Sequence, residues 1–99
     1  MAGDGLAAWL RAEITADRDD AARRLRLSRM TAAHRGRLME KLGRAEAELA
    51  VLDLYETQAA REFCNCMEED RTWLLASVVR LIGRGYRRRP GYRESEWKP

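Results

Sequence analysis

Both prolines of this 99-residue chain stand within its last ten positions, Pro90 and Pro99. Proline is the residue that most firmly stops a helix, so residues 1–89 are free to be helical and the ending is not. The segment Arg89-Pro90-Gly91-Tyr92-Arg93-Glu94-Ser95-Glu96-Trp97-Lys98-Pro99 cannot prolong a helix, yet its aromatics are not those of a disordered tail. Tyr92 and Trp97 carry large apolar surfaces of the kind normally buried. The tail is therefore expected to fold back on the helices that precede it.

At this length the chain is read as one domain, residues 1–99, with a modest core. No apolar run approaches the roughly 20 residues that cross a bilayer, so no membrane partner is expected. Met1-Ala2-Gly3-Asp4-Gly5 lacks the basic and apolar stretches of a signal peptide, which makes cytoplasmic the expected location. The formal charge is +3. It is a poor guide to partners, because 17 of the 19 basic residues are Arg and 15 residues are Ala, a bias that codon usage alone could produce. The distribution says more. Residues 23–37 and 80–93 each hold six Arg and no acid, while residues 62–70 hold four acids and no base. Such blocks can pair inside a fold, across a subunit boundary, or with an external polyanion.

Hydrophobic spacing predicts three helices. The first, over 4–27, has Asp4 as a candidate N-cap and Leu6, Leu10, Ile14, Ala21 and Leu25 on one face, with Trp9 beside them. Asp17, Asp19 and Asp20 fall on its solvated side. Ser28-Arg29-Met30-Thr31 is the expected break, although no Pro or Gly enforces it and a continuous helix is the alternative. The second helix, over 36–61, carries Leu38, Leu42, Ala45, Leu49 and Leu52 at steps of 4, 3, 4 and 3, a seam that packs along another helix. Tyr55 and Ala59 extend it. Its partner is the first helix, antiparallel, or a second copy of the chain. The third helix, over 67–84, places Trp73, Leu74, Val78, Leu81 and Ile82 on one side, with Gly83 and Gly85 as its stop. Residues 86–99 form the tail. The expected fold is all-α, a three-helix bundle or a helical hairpin plus a third helix, with a long central helix and an ordered aromatic tail.

Few residues suggest chemistry. Cys64-x-Cys66 supplies two soft ligands and His34 a distant third, short of the four that a zinc site uses. The plainer reading is two free thiols at a helix junction. His34, the only histidine, would have to serve any general base at neutral pH, but no nucleophile motif or phosphate-cradling loop accompanies it. No enzyme, cofactor or small-molecule substrate is expected. Arg80, Arg84, Arg87, Arg88, Arg89 and Arg93, with Tyr86 and Tyr92 between them, are the candidates for nucleic-acid contact, since Arg grips phosphate as a planar fork. The plainer alternative is a set of salt bridges to Glu62, Glu68, Glu69, Asp70, Glu94 and Glu96. Trp9, Trp73, Tyr55, Tyr86, Tyr92 and Trp97 read as core and tail-docking residues.

Leu6-Ala7-Ala8-Trp9-Leu10-Arg11-Ala12, the stretch from His34 through Leu52-Asp53-Leu54-Tyr55-Glu56, and Pro90-Gly91-Tyr92-Arg93-Glu94-Ser95-Glu96-Trp97-Lys98-Pro99 together resemble a family of small actinobacterial and actinophage proteins catalogued as a domain of unknown function. His34-Arg35-Gly36 stands where the family has His-Asp-Pro, and Arg89-Pro90-Gly91 where its ending has His-Pro. The connection between the first two helices is shorter than in most members. The resemblance implies an actinobacterial or phage origin and carries over no activity. Two functions are therefore expected to compete: a non-enzymatic, self-associating protein-interaction module with the seam Leu38, Leu42, Ala45, Leu49 and Leu52 as its partner surface, or a small basic protein on DNA.

Overall fold

The structure, a computed structural model, describes residues 5–27, 29–61 and 69–97. They form α1 (Leu6–Leu27), α2 (Ala32–Arg61), α3 (Glu69–Arg84) and a single turn, α4 (Glu94–Trp97), with no strand among the described residues. The fold is all-α. The Asp4 cap lies outside the described residues, and the first helical bond of α1 runs from the Trp9 amide to the Gly5 carbonyl at 3.0 Å.

The chain breaks between α1 and α2, so the continuous helix is ruled out in favour of a hairpin. The second helix starts four residues before the expected Gly36. Thr31 explains the difference: its Oγ1 accepts from the His34 amide at 3.1 Å, and its carbonyl accepts from the Arg35 amide at 3.0 Å. A threonine N-cap starts a helix without proline or glycine, and Gly36 simply lies within the first turns. At 30 residues, α2 is about 45 Å long, and it is the backbone of a molecule 52 × 27 × 16 Å in extent.

Leu6, Leu10, Ile14 and Ala21 of α1 are buried against Leu38, Ala45, Leu49, Leu52 and Tyr55 of α2, with Leu42 and Leu25 half-buried at the edges. The leucine seam is thus filled by α1 of the same chain. Arg11 of α1 clamps the far end of the hairpin, 2.6 Å from Asp53 and 3.2 Å from Glu56. Those two carboxylates, through their hydrogen bonds, raise the guanidinium pKa above its ordinary value.

Helix α3 closes the third side through Val79, which is buried, with Leu75, Ala76 and Ile82 packed around it. Gly83 is not part of the stop but of this packing. A β-carbon there would come 3.2 Å from Leu6 Cδ1, so glycine lets the two helices approach closely. Beyond Arg84, the Gly85 and Tyr86 amides return to the Ile82 and Gly83 carbonyls, tightening the end of the helix.

The tail docks as expected. After the turn at Pro90 and Gly91 the chain returns to Trp9. Trp97 is 2% exposed. The rings of Trp9, Tyr92 and Trp97 form a triangle with centroids 5.4 to 5.8 Å apart, tilted or edge-on as aromatic pairs prefer. Gly91 makes the return possible: its φ is +92°, and a β-carbon would lie 2.8 Å from Trp9 Nε1.

Candidate interaction surfaces

The six candidate arginines of the C-terminal block divide by what they touch. Arg80 donates to the Glu96 carbonyl at 3.0 Å, and Arg93 pairs with the Glu96 carboxylate at 3.4 Å while its guanidinium lies 5.6 Å from the Trp97 ring centre. Arg89 forks onto Asp17 of α1 at 2.6 and 3.2 Å, approaches Glu13 at 3.8 Å, and stacks 4.6 Å over Tyr86. Arg80 and Arg89 fasten the tail to the helices, and Arg93 braces the tail internally. Arg84, Arg87 and Arg88 are exposed and form no ion pair among the described residues. They edge an open hollow of about 480 Å³ with Leu81 and Gly85.

Arg89 and Tyr86 also form one wall of a cleft of about 430 Å³ between α1, α2 and the end of α3. The Tyr86 hydroxyl donates to Glu48 at 2.7 Å. Burial, and then that carboxylate, raise the Tyr86 pKa well above the usual tyrosine range. The hydrogen bond to Asp17 likewise raises Arg89. The opposite wall carries Arg37, Lys41 and Arg44 at steps of four and three along α2, interrupted by Glu40. The two sequence-distant arginine blocks therefore meet here, Arg37 from one and Arg89 from the other. With Asp17 and Glu48 already engaged, the cleft offers cationic donors to an anion. Lys41 and Arg44 were not among the sequence candidates, though their helical spacing from Arg37 could have found them.

Acids that looked solvated behave unequally. Asp20 does face water and pairs with Arg23 and Arg24, the Arg23 hydrogen bond chiefly holding its carboxyl below the usual value. Asp17 instead turns toward the tail and receives Arg89. The acidic block 62–68 and the pair Cys64 and Cys66 lie outside the described residues. His34 is exposed in the first turn of α2, and among the described residues no three His, Cys, Asp or Glu side chains converge as metal ligands.

The largest departure from expectation concerns α3. Trp73, Leu74, Val78 and Leu81, expected on the packed side with Ile82, are exposed: Trp73 by 68%, Leu74 by 57% and Leu81 by 59%. The sequence contains the reason. Its apolar residues come as doublets, Leu74-Leu75, Val78-Val79 and Leu81-Ile82, so two apolar stripes run side by side. The small bundle buries Val79, half-buries Leu75 and Ile82, and leaves the other stripe outside. Ser77 lies in that outer stripe, with its hydroxyl bonded back to the Trp73 carbonyl at 3.1 Å.

No protein-family model, curated protein or solved structure matches the chain. No helix among the described residues is long and apolar enough to cross a membrane.

Proposed function

We propose that this chain is a non-enzymatic helical interaction module that docks another protein surface on the outer face of α3. The observation that carries this reading is Trp73, left 68% exposed beside Leu74, Val78 and Leu81. A contiguous apolar stripe containing tryptophan marks a contact surface, because scattered single apolar residues are ordinary and a joined patch is not. The leucine seam of α2 cannot serve this purpose while α1 fills it, so the partner surface moves to α3. A photoreactive residue at position 74 tests the reading in the protein's own cells. Protein adducts at 74 that are absent with the probe at Ala16, an exposed position on α1, are the expected result. No adduct at 74 overturns it.

A second reading has its own observation. Arg84, Arg87 and Arg88 are exposed without ion pairs among the described residues, next to a cleft walled by Arg37, Lys41 and Arg44. This geometry supports phosphate-backbone binding by a small DNA-associated protein. Anisotropy of labelled duplex DNA at about 50 and 200 mM salt tests it, since phosphate contacts weaken steeply with salt. Binding that collapses between the two supports this reading. No binding at the lower salt removes it.

A further inference from the structure

We infer that the occupant of the outer α3 face is α3 of a second copy, packed antiparallel about a twofold axis through Ser77. The inference rests on the reading that this face docks protein, and adds which protein and in what register.

The argument is the symmetry of the stripe. Trp73 and Leu81 each stand four residues from Ser77, and Asp70 and Arg84 each stand seven. An isologous interface requires a surface complementary to itself after a half-turn. Reversing α3 about Ser77 sets Trp73 against the partner's Leu81 and Leu81 against the partner's Trp73. The acidic first turn, with Glu69 and Asp70, then lies beside the last turn of the other copy, with Arg84 and the exposed Arg87 and Arg88 beyond it. A parallel arrangement would put like charges together at both ends.

The centre also suits close packing. Ser77 is the small residue of the outer stripe, which lets two helix axes approach, and its hydroxyl is already satisfied by the Trp73 carbonyl at 3.1 Å. No polar atom of Ser77 is stranded when water leaves. A partner of unrelated sequence would give no reason for a large apolar residue four steps to either side of Ser77 and opposite charges seven steps to either side. A single pair of 16-residue helices makes a small interface, so the expected dissociation constant is on the order of tens of micromolar.

Sedimentation equilibrium of the full chain from about 10 to about 500 µM is the test, read by mass action. The expected mass rises from 11.4 kDa toward twice that value. D70R and R84D each place like charges across the twofold and are expected to weaken the dimer about tenfold or more. Mixed together, the two variants pair opposite charges at both ends and regain association. Arg84 is exposed, and unchanged melting of each variant confirms that folding is intact. A strictly monomeric wild type at the highest concentration overturns the inference, as does a dimer whose D70R and R84D variants fail to complement each other. If the purified chain stays monomeric while position 74 crosslinks to a different protein in cells, the self-pairing falls and the docking reading stands. If neither occurs, both fall.

Discussion

Arg89 Nη2 lies 2.6 Å from Asp17 Oδ2, a contact that joins the end of the chain to the middle of α1 across 72 positions. It separates Arg89 from the arginines beside it. Arg89→Ala removes the fork onto Asp17 and the stack on Tyr86, and because the guanidinium is still partly in water the expected cost is only about 1 kcal/mol. For a chain of this size that lowers Tm by about 4–8 °C. Replacing Arg84, Arg87 and Arg88 together with Ala is expected to change stability by no more than about 0.5 kcal/mol. Thermal melts of the two variants at one protein concentration check the division. If the phosphate-binding reading holds, the triple variant is the one that loses DNA.

Gly91 is the hinge of the tail. Its left-handed φ of +92° and the 2.8 Å separation between a would-be β-carbon and Trp9 Nε1 act together. Gly91→Ala must move either the turn or the indole, and the expected cost is about 1–3 kcal/mol. The near-ultraviolet circular dichroism of the aromatic cluster reports the displacement directly. An unchanged spectrum and melting curve would refute the hinge role.

Trp73 and Trp97 show where sequence reading succeeds and where it stops. Trp97 follows a proline and a glycine and precedes a second proline, so its burial was legible: a large aromatic in a segment too short for its own core must borrow one. The leucine seam and the hairpin were legible for the same local reason, a fixed spacing on long helices. Trp73 was misplaced because the doublets of α3 are compatible with burying either stripe. Only the orientation of the helix, set by Gly83 against Leu6 and Val79 in the core, selects one. The bond between Arg89 and Asp17 had no local signature at all, since its partners are brought together by the whole bundle. Thr31 could have been preferred over Gly36 as a helix start, but several residues of that connection make acceptable caps.

The two tryptophans consequently have opposite expected responses. Trp97→Ala removes the buried corner of the aromatic triangle and is expected to cost about 3–5 kcal/mol, lowering Tm by about 10 °C or more. Trp73→Ala removes a side chain that is mostly in water and leaves the stability of the monomer within about 0.5 kcal/mol. Melts recorded at low protein concentration keep association out of the comparison. Equal losses from the two substitutions would contradict the placement of both rings.

Tyr86 predicts how the fold responds to alkali. In the folded chain its hydroxyl is partly buried and donates to Glu48 at 2.7 Å, so its pKa is raised above the value it has when unfolded. An unfolded tyrosine ionises near pH 10. Below that pH both states keep the proton and the contribution of the hydrogen bond is fully present. As pH rises past 10 the unfolded chain releases its proton while the folded chain retains it, so the unfolded state is favoured and stability falls. Tyr86→Phe should cost about 1 kcal/mol at neutral pH, where the donor to Glu48 is lost. It should also flatten the alkaline decline. Urea melts of both proteins at pH 8 and at pH 11 measure the two effects. A wild-type chain that loses no more stability than the Phe variant between those pH values would show that the hydroxyl is not held by Glu48.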